Sequence, residues 1–178
     1  MNTSKIWFVS DTHFYHKNIL KFTDENDNLI RGSKFECIED MNQAIIDNWN
    51  SQVKPYDKVY HLGDVTFKFH DEFVSLWKSL NGIKNLVVGN HDRIGFFVER
   101  KLCSKIYMSK KIRENNIILT HMPVHPSTFG YRIHMNIHGH VHQRSISDSR
   151  YRNVSLEVID YKPISLEQII EEAITDYE

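Results

Sequence analysis

Five times along this chain a short apolar run stops abruptly in a polar cluster. Ile6-Trp7-Phe8-Val9 leads into Ser10-Asp11-Thr12-His13, and Lys58-Val59-Tyr60-His61-Leu62 leads into Gly63-Asp64. Asn85-Leu86-Val87-Val88 leads into Gly89-Asn90-His91-Asp92, and Ile117-Ile118-Leu119 into Thr120-His121. Met135-Asn136-Ile137-His138 leads into Gly139-His140-Val141-His142. Runs this short, rich in β-branched residues and often stopped by Gly, read as buried strands. In α/β sheets ligands gather beyond the C-terminal ends of the strands, which is where each of these clusters stands.

Helical spacing appears between the runs. Ser33-Lys34-Phe35-Glu36 has the form of a capping box, in which the Ser and Glu side chains satisfy each other's backbone donors. After it Ile38, Met41, Ile45 and Trp49 form one apolar face. Phe73, Leu76, Trp77 and Leu80 form another, closed by Asn81-Gly82. Ser165-Leu166-Glu167-Gln168 is a second capping box, and Ile169, Ile170, Ala173 and Ile174 follow as an inner face. Strand–helix alternation in the first half suits βαβ crossovers, whereas the later strands are too closely spaced for a helix at every link. The expected fold is therefore α/β: an αββα-type sandwich of mixed β-sheets flanked by helices. With 178 residues and no repeat or linker-like tract, residues 1–178 read as a single domain.

Composition narrows the chemistry. Lys and Arg number 22 against 23 Asp and Glu, so bulk positive charge does not attract a nucleic acid. A stripe of Lys101, Lys105, Lys110, Lys111 and Arg113 reads equally as a solvated basic face. The 2 cysteines, Cys37 and Cys103, stand far apart, which excludes a Cys-based zinc site and points to a reducing compartment. No stretch approaches the roughly 20 apolar residues of a membrane span, and the N-terminal apolar run is too short for a signal peptide. The expected location is the cytoplasm. The outlier is histidine, with 11 copies; it is the commonest metal ligand and the usual acid/base side chain near neutral pH.

Taken singly, the polar clusters are ordinary. Asp11-x-His13 would place two ligands on one side of an extended segment, but it is as readily a solvated loop. Asp64 after Gly63 is a common turn residue, Asn90-His91-Asp92 could build an Asx-turn, and His121 could be a satisfied core histidine. His140-x-His142 would put two imidazoles on one face of a strand. Taken together, five strand ends finish in Asp, Asn or His and none in Lys or Arg. A nitrogen and oxygen donor set without sulfur suits Mn, Fe, Zn, Ni or Co. About eight candidate ligands exceed what one ion takes and fit two ions sharing a carboxylate.

In this order the five clusters resemble the motifs of the calcineurin-like metallophosphoesterases, and all five are intact between residues 11 and 142. The resemblance implies that Asp11, His13 and His142 hold a first metal, that Asn90, His121 and His140 hold a second, and that Asp64 bridges them. It makes His91 the catalytic histidine near the leaving group, with Asp92 beside it either orienting that imidazole or capping a helix. The Asn153-Val154-Ser155-Leu156-Glu157-Val158 segment looks like the strand closing the family's small members. The implied cofactors are two divalent ions, Mn first among Mn, Fe, Zn, Ni, Co and Mg. The implied reaction is hydrolysis of a phosphate ester by a hydroxide shared between the ions, and a diester is preferred because no capping domain is visible.

Outside the motifs, His16, Arg93 and His125 are candidate substrate contacts, each with a plain alternative as a loop histidine, a helix-start cation and an ordered turn. His61, His134 and His138 read as structural. Residues 14–35 and 122–134 are the loops expected to set specificity. The expected partner is a small phosphate ester such as a nucleotide, with no membrane. The competing readings are a small metal-dependent nuclease, a phosphomonoesterase, and a catalytically silent scaffold that binds proteins. Intact ligands and His91 weigh against the last.

Overall fold

The computed structural model describes residues 4–175. In chain order the first half contains β1 (Ile6–Val9), α1 (Ile38–Gln52), β2 (Lys58–His61), α2 (Asp71–Ser79), β3 (Ile83–Val87) and α3 (Ile94–Glu99). It continues with β4 (Lys105–Tyr107), β5 (Lys110–Ile112), β6 (Ile117–Leu119), β7 (Met135–His138) and β8 (Tyr151–Asn153). β9 (Ile164–Ser165) and α4 (Leu166–Thr175) end the described chain.

Two mixed sheets result. One has the order β4-β3-β2-β1-β9, parallel except for the antiparallel β1–β9 pair. The other has the order β5-β6-β7-β8, parallel except for β5–β6. Alternation along the strands of the first sheet divides the interior in two. Trp7, Val9, Val59 and Leu86 face Met41, Ile45 and Trp49 of α1, Phe73 and Trp77 of α2, and Phe97 of α3. Phe8, Tyr60, Leu62 and Val87 face the opposite way, against Ile112, Ile117, Leu119 and Ile137 of the second sheet. Each indole finds an acceptor, as buried Trp requires: Trp7 donates to Asp57 Oδ2, Trp49 to Asn81 O and Trp77 to Leu102 O.

Three local expectations are corrected. α1 begins at Ile38, not at the Ser33–Glu36 box, because Lys34 and Phe35 are held in turns by bonds to Arg31 O. Cys37 caps it instead, its sulfur accepting the Asp40 N–H at 3.4 Å. The 153–158 segment is not a strand: β8 stops at Asn153, and Leu156–Val158 forms a 3-10 turn. Its chain leaves the second sheet there to touch the first, where Ser10 N–H donates to Val154 O at 2.9 Å. On α4 only Ile169 of the expected inner face is fully buried, and Ile174 is 59% exposed. The Ser165–Gln168 box itself is present, with reciprocal bonds of 3.0 and 3.2 Å. Among the described residues no helix is long and apolar enough to cross a membrane.

Candidate metal centre

The two sheets meet at the C-terminal ends of β1, β2, β3, β6 and β7, and there the backbone changes character. Asp11, His13, Asp64, His140 and His142 all have left-handed φ, between 47° and 70°. Such φ values are uncommon for residues with a Cβ and cluster where surrounding structure over-determines them. The Asp11/His13 and His140/His142 pairs therefore do not lie on extended strands, as pleat alternation had suggested. They sit in loops whose successive left-handed residues carry the side chains inward. Backbone bonds hold these loops: Asp11 N–H to Gly63 O at 3.0 Å, His13 N–H to Asp64 O at 3.1 Å, and Gly139 N–H to His121 O at 2.9 Å. Gly139 is obligatory because a Cβ there would overlap Ser10 Oγ and Asp11 Oδ2.

Donor atoms of Asp11, His13 and His142 lie within 4.8 Å of one another. Asp11 Oδ2 accepts the His140 N–H at 2.9 Å and the Ser155 hydroxyl at 3.0 Å, while Oδ1 is buried without a partner. Both ring nitrogens of buried His13 also lack partners. His142 Nδ1 donates to Glu157 Oε1 at 2.8 Å, and the same oxygen accepts from Arg31 Nε at 2.7 Å. Burial would raise the Asp11 carboxyl, but the His13 ring 3.7 Å away and the charges of His121 and His142 outweigh it and hold it well below the usual range. Burial pushes His13 down, favouring the neutral ring that can ligate.

Donor atoms of Asp64, His121 and His140 form a second group of the same size. His121 Nδ1 donates to Leu62 O at 2.7 Å, so a neutral ring carries its lone pair on Nε2. That lone pair faces Asn90 Oδ1 at 2.9 Å, His140 Nδ1 at 3.2 Å and Asp64 Oδ2 at 3.5 Å. The two oxygens accept and cannot donate to that lone pair, so a cation or a proton between them would bring the three together. Burial would lower His121, but the Asp64 contact outweighs it and makes the ring easier to protonate. Asp64 Oδ2 also lies 3.9 Å from His13 Nε2, which places this carboxylate between the two groups. Oxygen and nitrogen donors converge at two points, with Asp11 Oδ1 and both His13 ring nitrogens left without partners at the first; such sets fit divalent metal ions, and sulfur is absent from both.

His91 stands at the rim with its ring half exposed and Nε2 3.9 Å from Asp64 Oδ2, while its backbone N–H donates to Asp64 Oδ1 at 2.9 Å. Asp92 does not act on that ring. Its carboxylate accepts backbone N–H bonds from Asp64 at 3.0 Å, Val65 at 2.9 Å and Gly89 at 2.8 Å, stapling the loops after β2 and β3 together. It caps no helix either, since α3 has Arg93 at its N-cap. His16 joins the site, stacked on Phe67 at 3.8 Å and 5.5 Å from the His13 ring, and burial pushes it down to about 4. Arg93 lies over the Phe69 ring at 4.4 Å. His125 is turned into its own loop, bonded to Ser127, and makes no contact with the ligand groups among the described interactions. Sequence reasoning missed Arg31, Glu157, Ser155 and Phe67. Nothing local to Arg31 or Phe67 signals a role, and Glu157 and Ser155 were hidden inside a segment read as a plain strand.

The chain belongs to the calcineurin-like phosphoesterase superfamily, whose domain it matches over residues 5–156. Members of this class are hydrolases acting on phosphate esters and are usually metal-dependent. It is 33% identical over 182 residues to the uncharacterized protein MJ1445 of Methanocaldococcus jannaschii, spanning 96% of this chain and 92% of that protein. It also resembles the crystal structure of the protein of unknown function AQ665 from Aquifex aeolicus, at 32% identity and a TM-score of 0.75, covering 95% of this chain and 99% of that one.

Proposed function

We propose that the protein hydrolyses a phosphodiester, using two divalent ions held by Asp11, His13 and His142 on one side and Asn90, His121 and His140 on the other, with Asp64 shared. The observation that carries this reading is the position of Asp64 Oδ2, 3.5 Å from His121 Nε2 and 3.9 Å from His13 Nε2, between two groups of converging donors. Two such ions supply charge neutralisation at the phosphoryl oxygens and an activated water. The carboxylates and imidazoles suit manganese best, because the set mixes hard and borderline donors without thiolate.

The chain's own residues supply the rest. Asp11, Asp64 and the inward rings fix where the phosphoryl group sits, and the left-handed loops keep them from rotating away. His91 donates the proton that the departing oxygen requires, from a ring open to substrate on one side. Beside His140 and His142 lies a cavity of about 520 Å³ walled by Ile19, Phe22 and Ile30, with Lys21 and Arg144 among its lining. It can hold the organic part of a small ester and a further negative charge, such as a nucleotide carries. A cytoplasmic location accords with Cys37 and Cys103, which are both unpaired. Turnover of bis(p-nitrophenyl) phosphate and p-nitrophenyl phosphate by the Mn²⁺-loaded protein tests this. A higher kcat/KM on the diester supports the reading, and no turnover of either ester under Mn²⁺, Fe²⁺, Zn²⁺, Ni²⁺, Co²⁺ or Mg²⁺ overturns it.

A further inference from the structure

We propose that Arg31 and Glu157 are positioning residues that hold the Asp11–His13–His142 group in ligating form, while the Asp64–His121–His140 group stands independently of them. The inference rests on reading the two groups as metal sites. Arg31 and Glu157 are 126 residues apart in sequence and both buried. Arg31 Nη2 donates to Asp11 O at 2.5 Å and Nη1 to Thr12 O at 3.2 Å, so one guanidinium grips the loop that carries Asp11 and His13. Its Nε donates to Glu157 Oε1 at 2.7 Å, and that oxygen accepts the His142 Nδ1–H at 2.8 Å. A ring that donates from Nδ1 keeps its lone pair on Nε2, so this bond sets the His142 tautomer. All three members of the first group are thereby tied to one buried ion pair.

The second group is held by other means. His121 is oriented by Leu62 O and Asp64 by the His91 backbone N–H; the His140 backbone N–H reaches the first group at Asp11 Oδ2, but no hydrogen bond or ion pair of Asp64, His121 or His140 reaches Arg31 or Glu157 themselves among the described residues. Charge sharpens the difference. Arg31 puts a fixed positive charge under a site meant for a cation, and Glu157 neutralises it at contact distance. Replacing the carboxylate by an amide of the same shape leaves that charge unopposed in a buried setting, where Coulomb repulsion is strong. It also weakens the acceptor that orients His142.

The test is calorimetric titration of Mn²⁺ into the metal-stripped full chain. For Glu157→Gln we expect one of two binding events to weaken by about 10–100-fold and the other to stay unchanged. The loss should persist in a His140→Ala background, where only the first group is whole, and vanish in a His142→Ala background, where that group is already broken. Equal weakening of both events, no weakening, or the same loss in the His142→Ala background would overturn the assignment. If circular dichroism shows Glu157→Gln unfolded, Arg31→Lys is titrated in its place, with the same expectations, since Lys keeps the charge but not the fork that reaches three acceptors. Two ions bound with no ester hydrolysed removes the proposed function and leaves this inference standing. Turnover retained with a loss shared equally by both sites does the reverse, and fewer than two ions in the wild type overturns both.

Discussion

At the scale of single residues, the proposed function separates groups that would ligate from a group that would move protons. Asp64→Asn should weaken binding of both ions together, because one carboxylate stands between the two groups. His91→Ala should bind both ions and lose about 10²–10⁴ in kcat on an alkyl diester, the range of a positioned acid. Its loss on bis(p-nitrophenyl) phosphate should be much smaller, because nitrophenolate leaves without a proton. Equal losses on the two esters, measured at saturating metal, would instead mark His91 as an electrostatic clamp. A second residue-scale prediction concerns His61, buried under Trp49 and Trp77. Thr12 Oγ1 donates to Val65 O, so it accepts from His61 Nε2, while Gly63 N–H donates to Nδ1; the ring is fully satisfied only when neutral. Burial accordingly pushes it down to about 3. Between the ordinary imidazole value and that one the unfolded chain binds a proton that the folded chain refuses, so stability is lost as the pH falls through this window. Urea denaturation of the metal-free protein should show the gap between wild type and His61→Gln shrinking by about 2 kcal/mol from pH 7.5 to pH 5, given about 1.36 kcal/mol per unit.

At the scale of elements, the strands matter less for their length than for where they stop. Each of β1, β2 and β3 hands over to a loop, and Asp92 binds two of those loops through three backbone N–H groups. Asp92→Ala should therefore cost stability on the order of 2–3 kcal/mol, through unsatisfied buried donors, and weaken metal binding as Asp64 shifts. A direct role in proton transfer would lower kcat at saturating metal with the melting temperature unchanged, so a thermal melt run beside the kinetics tells the two apart. Helices α1 and α2 were legible from their apolar faces, since Met41, Ile45, Trp49, Phe73 and Trp77 are all buried as their spacing required. The start of α1 was not. A capping box describes local chemistry, and here Arg31, anchored in the site, keeps the chain before Cys37 in turns.

At the scale of the whole molecule, the two sheets are joined by the site itself: Ser10 bonds Val154, Asp11 Oδ2 bonds His140 N–H and Ser155, and Arg31 bonds Glu157. Ions bound between groups drawn from both sheets should stabilise the fold by mass action, by about 2.7 kcal/mol at a metal concentration of 100 times Kd. Differential scanning calorimetry should show the melting temperature rising with Mn²⁺ at pH 7.5. The rise should shrink as the pH is lowered, because protonated imidazoles and carboxylates release metal. A melting temperature indifferent to Mn²⁺ would show that the ions do not bridge the sheets.

The sequence by itself determined the strand–helix alternation of the first half, the apolar faces of α1 and α2 and the identity of the polar residues at five strand ends, because these follow from local periodicity and from donor chemistry. Tertiary structure alone decided how those residues point. The left-handed turns at Asp11, His13, Asp64, His140 and His142 occur where neighbouring loops of each sheet hydrogen-bond one another and the Asp11 carboxylate takes the His140 N–H from the other sheet, a constraint that no local pattern carries. Asp92 looked like a partner for its neighbour His91 and instead serves backbone from two loops, since adjacency along the chain says nothing of direction at a turn. Arg31 and Glu157, 126 residues apart, became a pair only when packing buried both charges, and a buried charge must find its opposite.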